Sequence, residues 1–448
     1  MEKYRPIGER DQGQIGSMGI QIYELGTMSP QDRERLMRRS REDIGEVKKD
    51  VLPIIDDIRV RGDEAVLEYL ERFDGVRLTR DQLVVSEADI AEAYTRISPG
   101  VLGIIRRQIE LSNRFHEAQL AHTAMEWEVK VAPGVTLGQK RTPIEAVGLY
   151  VPGGTAPYPT VMQILAVPAK LAGVKRIVGV TPPRGKNYEV IVAAKEAGVN
   201  ELYRIGGVAA IAALAYGTET IKPVHKIVGP GNKYVTAAKM AVFGDVGIDM
   251  PAGPSEVLIL ADEKANPAFC AADILSAAEH DPNAAGVLVT WSKKIAQETQ
   301  REIAKQRALL PRKDIIDQSL GRHSAIILVS NKKEAVAFAN EYAPEHLEIM
   351  TIRPQYIEEE IVSAGSIFVG NYASKAVGDY ASGANHVLPT GGGAKMFSPV
   401  GIETYMKVSE MQSLTREGLE KRLAPIIRVL SAVEGLDAHW KSVERRLQ

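Results

Sequence analysis

The sequence predicts an α/β fold in which helices cover parallel sheets. From about residue 145 onward, short segments rich in β-branched residues alternate with segments of helical periodicity, as where "RIVGVTPP" precedes "YEVIVAAKEAGV". Parallel strands need crossover connections, so this alternation predicts parallel sheets with helices on their faces. Glycine and proline clusters such as "IGG" and "GPGN" lie at the ends of the predicted strands and mark the same boundaries.

The N-terminal part is predicted to be helical from Ser29 to about Phe115. Ser29 is a typical N-cap, and Pro30 suits the first position of a helix. In "DEAVLEYLERF" the apolar residues recur at steps of three and four, which is the pattern of an amphipathic helix. We therefore expect this part of the chain to be a helical scaffold.

The alternation stops at about residue 395, and the remaining chain has the pattern of helices. We expect this tail to dock on its own core or on another subunit. The predicted organisation has four parts: an N-terminal segment (1–30), a first α/β domain formed by residues 31–149 together with 255–395, a second α/β domain (150–254) and a helical C-terminal tail (396–448).

Length and charge exclude several classes of protein. At 448 residues the chain exceeds the usual size of one domain, so at least two compact units are expected. Its 55 basic and 57 acidic residues nearly balance, which gives no electrostatic reason to expect a nucleic acid as partner. No apolar run reaches the roughly 18 residues of a membrane span, and the start of the chain lacks the pattern of a signal peptide. We therefore expect a cytoplasmic protein, with Cys270 as a small core residue in a reducing compartment.

The glycine clusters are also candidates for a ligand site. Open α/β sheets bind ligands at strand ends, where backbone N–H groups at the start of a helix can hold a phosphate. The sequence has no G-x-G-x-x-G motif, and each cluster taken alone is more often a tight turn. Both interpretations stay open for each cluster at this point.

Four of the eight histidines lie beside carboxylates or turn signals at the ends of predicted elements: His280, His346, His386 and His439. A single histidine is more often structural than catalytic, but four of this kind favour a site. His280 and His439 together with Asp379 form a set that catalytic zinc commonly takes, namely two imidazoles and a carboxylate with one open position. These three residues are far apart in the sequence, so spacing alone does not distinguish a metal site from unrelated residues.

The adjacent pair Glu345 and His346 in "NEYAPEHLEIM" offers two titratable groups of different pKa for acid and base roles in one site. Pro344 favours a helix start there. Neighbours on a helix point about 100° apart, so both side chains serve one pocket only if it wraps the helix end or the backbone is irregular. The alternative is an exposed surface pair.

Several long motifs resemble those of the histidinol dehydrogenase family, closely and in the same order. They are "GLYVPGGTAPYPT", "GTETIKPVHKIVGPGNKYVTAAK", "GDVGIDMPAGPSEVLILAD", "AEHDPNA", "YAPEHLE", "AGSIFVG" and "GDYASGANHVLPTGG". The resemblance extends from about residue 25 to the C-terminus, which is nearly the whole chain. The sequence is therefore identified as a member of this family.

The resemblance implies an NAD-linked, zinc-dependent dehydrogenase with one zinc ion per subunit. Such enzymes oxidise the amino alcohol L-histidinol to the aldehyde and then, after hydration, to L-histidine, and two hydrides pass in succession to two NAD molecules. The implied architecture is an intertwined homodimer of chains with two incomplete Rossmann-like domains. In this dimer the C-terminal tail of one chain reaches the active site of its partner.

The matching motifs also imply roles for individual residues. Zinc ligands are expected at His280, Asp379 and His439, and the catalytic bases at Glu345 and His346. Substrate contacts are expected from these five residues and from Ser255, His386 and Glu434, and cofactor contacts from Tyr150, Asn232 and the position of Ala209. His346 is expected to take the hydroxyl proton as hydride departs, and Glu345 to activate the water that attacks the aldehyde.

Two positions depart from the family pattern. The family usually has "SQAEH" where this chain has "SAAEH", so Ala277 replaces a glutamine that ligates zinc. Ala209, in "RIGGVAAIAALAYGT", replaces a glutamine that commonly contacts the cofactor. Because alanine has no donor atom, we expect zinc to be held more loosely and the dinucleotide more weakly, the latter by up to about tenfold for one neutral hydrogen bond.

Two alternatives remain beside the oxidation of histidinol. One is a member of the family that acts on another small polar alcohol, such as a sulfonated diol, and the other is a non-catalytic paralogue. His386, Glu434 and the motif "AGPSE" favour histidinol, because an imidazole and an ammonium group need polar partners when buried. The choice between NAD and NADP is open.

Overall fold

The computed structural model describes residues 19–39, 44–153, 157–185 and 187–448, with the side chains of 44–46 excepted, so residues 1–18 of the predicted N-terminal segment lie outside the described residues. The strands are β1 (Ile22–Glu24), β2 (Glu126–Ala132), β3 (Val135–Pro143), β4 (Ala146–Tyr150), β5 (Arg176–Thr181), β6 (Glu201–Arg204), β7 (Lys226–Val228), β8 (Gly247–Ile248), β9 (Glu256–Ala261), β10 (Ala285–Thr290), β11 (Ala325–Leu328), β12 (His346–Met350), β13 (Ser366–Val369) and β14 (Met406–Leu414). The helices are α1 (Pro30–Arg38), α2 (Ile44–Arg61), α3 (Asp63–Tyr69), α4 (Arg80–Leu83), α5 (Glu87–Arg96), α6 (Pro99–His122), α7 (Pro159–Leu171), α8 (Tyr188–Ala197), α9 (Gly207–Tyr216), α10 (Lys233–Val242), α11 (Pro267–Ala278), α12 (Lys293–Arg307), α13 (Lys313–Arg322), α14 (Lys332–Tyr342), α15 (Gln355–Glu358), α16 (Lys375–Tyr380), α17 (Arg416–Gly418), α18 (Ala424–Val433) and α19 (Asp437–Leu447). Of the helices in the described ranges, none has the length and apolar character needed to cross a membrane.

Two parallel sheets form the centre of the fold. One has six strands in the order β1-β11-β10-β9-β12-β13, and the other has five in the order β6-β5-β4-β7-β8. Neighbouring strands within these two sheets run parallel. The prediction of an α/β fold with parallel sheets is therefore confirmed.

The central strands of both sheets are buried on their two faces. Every residue of β9, β10 and β12 is buried, as is every residue of β4. Helices cover the faces because a parallel sheet reaches its next strand through a crossover connection. The largely apolar sequences of β4, β9 and β10 follow from this double burial, whereas β12 carries the buried polar residues His346 and Glu348.

The N-terminal helices begin as predicted. α1 starts at Pro30, and the Ser29 hydroxyl accepts a hydrogen bond of 3.1 Å from the backbone N–H of Asp32. The residues just before this cap are more than a linker, because β1 pairs with β11 at the edge of the six-stranded sheet.

Helices α2, α3 and α6 pack against the five-stranded sheet, which differs from the predicted division into domains. Ile58 on α2 and Val66 on α3 share an apolar cluster with Val178 of β5. Ile105 on α6 lies in a second cluster with Ile177 of the same strand. β4 also belongs to this sheet, so a boundary after residue 149 would cut one of its strands. Sequence periodicity identifies the apolar face of a helix but not the sheet that this face covers.

The third sheet is antiparallel, with the order β14-β3-β2. β14 pairs with β3 along its whole length, from Met406 opposite Pro143 to Leu414 opposite Val135. The prediction of a purely helical tail from 396 to 448 is therefore wrong for this stretch. Most side chains of β14 are exposed, so backbone pairing with a distant strand, rather than an apolar pattern, defines it. Helices α17 to α19 complete the tail.

Candidate active site

Most of the predicted site residues meet at the amino-terminal edge of the six-stranded sheet. Ser255 immediately precedes β9, and Glu345 immediately precedes β12, of which His346 is the first residue. β12 lies between β9 and β13, and His346 pairs in register with Val257 and Ser366. Parallel strands start at the same edge, and this brings together side chains that are 90 positions apart in the chain.

The local structure at Glu345 and His346 differs from the predicted helix start. Helix α14 ends at Tyr342, before Pro344, and the chain continues as the buried strand β12. Ala343, between them, has a positive φ of 49° and caps the end of the helix. A residue before proline is disfavoured in the helical conformation, so the proline ends a helix here instead of starting one.

Two hydrogen bonds and one charge contact fix one oxygen of the Glu345 carboxylate. Oε2 accepts hydrogen bonds from Ser255 Oγ at 2.9 Å and from the backbone N–H of Glu256 at 2.8 Å. The same oxygen lies 3.3 Å from Nδ1 of His346. Because Glu345 precedes the strand, its side chain is not restricted to the face opposite that of His346. Both groups therefore serve one site.

The imidazole of His346 is buried, and the backbone orients it. Nδ1 donates a hydrogen bond of 2.9 Å to the carbonyl oxygen of Glu256, which makes Nε2 the basic nitrogen of the neutral ring. Nε2 is buried, has no hydrogen-bond partner within the described ranges and lies 3.5 Å from Oδ1 of Asp379. This nitrogen is therefore available to exchange a proton with a ligand.

The segment after β13 brings Asp379 and His386 to the same place. Asp379 lies on α16, and its backbone carbonyl accepts a hydrogen bond of 2.9 Å from Nδ1 of His386. His280 follows α11 and keeps an exposed surface. The predicted residues that the structure brings together are Ser255, His280, Glu345, His346, Asp379 and His386.

Lys375 also belongs to this cluster, although the sequence analysis does not identify it. It is the first residue of α16, its side chain is 2% exposed, and Nζ donates a hydrogen bond of 2.5 Å to Oδ2 of Asp379. Nζ also lies 3.4 Å from Nε2 of His280. Lys375 and Asp379 are four residues apart on one helix, and this spacing is the signal in the sequence that could have identified the contact.

The charges of the site favour an ion pair between Glu345 and His346. Burial disfavours the charged form of His346, but the Glu345 carboxylate and Asp379 outweigh burial and raise the pKa of His346 to about 9. Burial alone would raise the pKa of Glu345, whereas the charges of His346 and Lys375 lower it below its usual value. The pKa of Asp379 is also lowered, since its contacts with His346 and Lys375 outweigh burial. In this arrangement His346 carries a proton at neutral pH.

The other two histidines of the cluster are neutral at that pH. Loss of hydration next to the surrounding protein lowers the pKa of His280, and the positive charge of Lys375 lowers it further. Its exposed edge lets solvent moderate this shift. Burial also lowers the pKa of His386 and outweighs the nearby Asp379 carboxylate. Neutral imidazoles present lone pairs, which suits both residues to accept hydrogen bonds or to ligate a metal ion.

A buried ion pair supports the backbone at Glu345. Nη1 of Arg39 donates to both carboxylate oxygens of Glu256, at 2.6 and 2.7 Å, and both side chains are 3% exposed. Oε1 of Glu256 also accepts hydrogen bonds of 3.1 Å from the backbone N–H groups of Glu345 and Gly391. Burial raises the pKa of Glu256, and Arg39 opposes this shift by favouring the charged form. The Arg39–Glu256 pair therefore fixes the backbone of Glu345 through the hydrogen bond to Oε1 of Glu256.

Arg39→Met is expected to destabilise the protein by about 3–5 kcal/mol, because it leaves the Glu256 carboxylate buried without its partner. The loss is measured as a lower denaturant midpoint of unfolding at neutral pH. The double variant Arg39→Met/Glu256→Gln removes both charges and is expected to recover part of the stability. Arg33→Met serves as the control, since it breaks an exposed pair with Glu341 and should cost less than about 1 kcal/mol. Equal losses of stability in Arg39→Met and Arg33→Met would contradict this role of Arg39.

Two predicted site residues, Glu434 and His439, lie apart from the cluster. Both are exposed on the C-terminal tail, where Glu434 follows α18 and His439 lies on α19. Neither side chain has a hydrogen bond or ion pair to the cluster among the contacts of the described residues. Their predicted place in the active site of a partner subunit stays a prediction.

The described residues of this chain, as arranged, do not fit a zinc ion. Of the three predicted ligands, His439 lies on the tail, and Nζ of Lys375 bridges the other two, His280 and Asp379. Ala277 is fully buried and brings no donor atom. Within the described ranges, no group of three or more histidine, cysteine, aspartate or glutamate side chains could hold a metal ion. The zinc ion that the resemblance implies stays a prediction, and no chemical step below depends on it.

The predicted cofactor contacts lie at the carboxyl-terminal edge of the five-stranded sheet. Tyr150 ends β4, and its hydroxyl accepts a hydrogen bond of 3.2 Å from the backbone N–H of Gly207, the first residue of α9. Asn232 caps α10, where its Oδ1 accepts hydrogen bonds from two backbone N–H groups of the first turn. Residues 154–156, part of the first glycine-rich motif, lie outside the described residues.

Glycine is required where this edge is most crowded. A Cβ at Gly229 would lie 2.2 Å from the carbonyl oxygen of Tyr150, and the φ of +133° there disfavours other residues. A Cβ at Gly206, which caps α9, would lie 2.5 Å from Pro182. Close packing of the chain against itself therefore requires glycine at these two positions of the edge. Ala209 is 5% exposed and lies in the apolar cluster behind this edge.

Comparisons with known proteins identify relatives over nearly the whole chain. The family model described as histidinol dehydrogenase matches residues 37–447. Histidinol dehydrogenase of Listeria monocytogenes is 49% identical over 405 residues, which cover 90% of this chain and 93% of that protein. The histidinol dehydrogenase of Methanothermobacter thermautotrophicus is 47% identical over 416 residues, which cover 92% of this chain and 96% of that protein.

A solved structure agrees with these relatives. The crystal structure of histidinol dehydrogenase from Elizabethkingia anophelis resembles this chain with a TM-score of 0.89 at 36% identity, and the match covers 96% of this chain and 98% of that one. The resemblance expected from the sequence motifs is therefore confirmed. The chain belongs to the histidinol dehydrogenase family, whose enzymes are oxidoreductases.

Proposed function

We propose that this chain catalyses the NAD-linked, four-electron oxidation of L-histidinol to L-histidine through the aldehyde, the last steps of histidine biosynthesis, in the cytoplasm. The observation that carries the proposal is the buried pair of His346 and Glu345, in which Nε2 of the imidazole has no hydrogen-bond partner within the described ranges and Nδ1 lies 3.3 Å from the fixed carboxylate. The oxidation of an alcohol needs a base for the hydroxyl proton, and the hydration of an aldehyde needs a base for water. The names of the relatives described above support the choice of substrate.

In the first oxidation, Nε2 of His346 takes the proton of the substrate hydroxyl while a hydride leaves the same carbon atom. NAD, when bound, accepts the hydride in each of the two oxidations. His346 can hold the proton because Glu345 and Asp379 stabilise the imidazolium. The ring keeps its orientation during the transfer, since Nδ1 stays bonded to the carbonyl oxygen of Glu256.

In the second oxidation, Glu345 takes a proton from the water that adds to the aldehyde. Two hydrogen bonds and the nearby imidazole of His346 already hold Oε2, which leaves Oε1 to accept from water. Ser255 positions this carboxylate through its own hydrogen bond. The hydrated aldehyde is again an alcohol, and its hydroxyl proton passes to this pair of bases, after they have released their earlier protons to solvent, as the second hydride leaves.

Two features support a dinucleotide as the electron acceptor. The order of the five-stranded sheet corresponds to 3-2-1-4-5 in chain order, which is the order of dinucleotide-binding Rossmann sheets without their sixth strand. The six-stranded sheet repeats this order from β9 to β13. Burial raises the pKa of Tyr150 to about 12, so its hydroxyl stays protonated and is able to donate to a bound group at this edge.

We further propose a homodimer in which the tail of one chain completes the active site of the other. Glu434 and His439 are exposed on the tail, which leaves them available to a partner. The tail helix α18 presents apolar side chains to solvent, namely Ile426, Val429, Leu430 and Val433, which are 55, 62, 53 and 78% exposed. A contiguous apolar face of this kind is typical of an interface between proteins.

An assay of the purified full-length protein with NAD or NADP tests the proposed reaction. Formation of reduced cofactor with L-histidinol, and L-histidine as the product, is the expected result. Reduction of the cofactor only with another polar alcohol, such as a sulfonated diol, would favour a family member with a different substrate. Absence of reduction with either class of alcohol would favour the non-catalytic paralogue.

The rate of the first oxidation is expected to rise with pH up to about 9, the raised pKa of His346. Below that pH most of the imidazole carries a proton and cannot accept another. The logarithm of kcat/KM should therefore increase with a slope of about one from neutral pH and then level off. The measurement is initial NADH formation with L-histidinol at constant ionic strength. A profile that is flat over this range would contradict the raised pKa of the base.

A further inference from the structure

The ammonium group of Lys375 lies where the family resemblance implies a metal ion. Nζ is 2.5 Å from Oδ2 of Asp379 and 3.4 Å from Nε2 of His280. These atoms belong to two of the three side chains expected to ligate zinc. One cationic group therefore already bridges the residues that a zinc ion would bridge.

Packing and a backbone hydrogen bond hold Lys375 in this position. Its side chain is 2% exposed, and it begins α16 four positions before Asp379. The backbone N–H of Lys375 donates a hydrogen bond of 2.6 Å to Oε1 of Glu348, which is itself fully buried. Nζ would therefore reach solvent only with a change in the first turn of α16.

Charge and donor atoms both disfavour a zinc ion beside Lys375. Asp379 is the one anionic side chain among the three expected ligands, and it is already paired with the ammonium group. A divalent cation at hydrogen-bond distance from a buried ammonium is strongly repelled, because the protein interior screens charges much less than water does. Ala277 supplies no donor atom that would compensate for this repulsion.

We propose that the Lys375 ammonium group replaces the zinc ion in this chain, so that the active site carries its positive charge on a side chain and binds no metal. Asp379 links this charge to the base, since its Oδ2 accepts from Lys375 and its Oδ1 lies 3.5 Å from Nε2 of His346. A substrate oxygen or nitrogen that reaches Nζ accepts a hydrogen bond from it. The nearby positive charge also favours the alkoxide from which the hydride departs. The inference rests on the site of the proposed function but not on its substrate.

Zinc binding to the full-length protein tests this inference without any substrate. The protein is treated with a chelator, incubated with excess zinc sulfate, separated from free metal by gel filtration and analysed for zinc and protein. The wild-type chain is expected to retain far less than one zinc ion. Lys375→Met removes the charge at similar side-chain length and is expected to bind zinc at least about 10²-fold more tightly in competition with a chelator. Adding Ala277→Gln to this variant should tighten binding further, because it supplies a donor atom.

A second buried lysine provides the matched control. Lys239 is 3% exposed and is paired with Asp249 beside the five-stranded sheet. Lys239→Met therefore removes an ammonium group of the same kind and is expected to leave zinc binding unchanged. Thermal unfolding shows which variants are folded, and the wild-type measurement decides alone if Lys375→Met does not fold.

Two results would overturn the inference: one zinc ion retained per wild-type chain, or no gain of zinc by a folded Lys375→Met variant. The readout is bound metal and not NADH formation. A wild-type chain that binds zinc and oxidises L-histidinol would therefore refute the role of Lys375 alone, and a metal-free chain without dehydrogenase activity would refute the proposed function alone.

Discussion

Replacement of His346 by asparagine is expected to slow the first oxidation of L-histidinol by about 10²–10⁴-fold, the usual contribution of a positioned general base. Asparagine is able to keep a hydrogen bond to the carbonyl oxygen of Glu256. It has no titratable group in the place of Nε2, the buried nitrogen without a partner. The oxidation of aldehyde supplied directly should be slowed less, because Glu345 still activates the water.

Single-turnover NADH formation, started from L-histidinol or from the aldehyde, measures the two steps separately. His116→Asn is a matched control, since His116 is a fully buried histidine on α6 that bonds to the carbonyl oxygen of Ser112. This control is expected to turn over at the wild-type rate per folded molecule. Equal slowing of both steps in His346→Asn would contradict the assignment of the first proton transfer to His346.

Glu345→Gln is expected to release the aldehyde, because the second oxidation is slowed by about 10²–10⁴-fold. The amide is able to accept the hydrogen bonds from Ser255 and from the backbone of Glu256, but it cannot take a proton from water. Trapping the aldehyde while NADH is followed measures this release. The first oxidation should remain the faster step in this variant, which is the reverse of the result expected for His346→Asn.

The same variant should also change the pH profile of the first oxidation. The Glu345 carboxylate is the largest of the interactions that raise the pKa of His346, so its loss moves the plateau to lower pH. Formation of L-histidine at the wild-type rate with no free aldehyde, or an unchanged pH profile, would contradict the role of Glu345.

The parallel sheets could be predicted from the sequence because their central strands are buried on both faces. Glu256–Ala261 and Ala285–Thr290 are buried throughout and separated by a helix, and this produces a clear pattern of apolar runs. β14 could not be predicted in this way, because its exposed side chains carry little pattern and its pairing partner lies near residue 140. The sequence also could not predict which sheet the N-terminal helices cover, because this depends on packing between distant segments.

The candidate site could be predicted largely through family motifs, which identify six side chains that the structure brings together. Spacing alone could not group them, because they come from the starts of different strands and from the segment after β13. Lys375 escapes a sequence analysis because a lysine usually lies on a solvated face, and its burial here depends on tertiary packing. The predicted place of Glu434 and His439 in the active site of a partner subunit stays a prediction, because both residues are exposed on the tail of the single chain.

The number of NADH molecules formed per molecule of L-histidinol consumed tests the paired roles of His346 and Glu345 most directly. The measurement uses the full-length protein with limiting L-histidinol and excess NAD, followed by analysis of the product. Two NADH molecules and one molecule of L-histidine per L-histidinol are the expected result. One NADH molecule per L-histidinol, with the aldehyde as the end product, would contradict a site in which the two bases carry both oxidations.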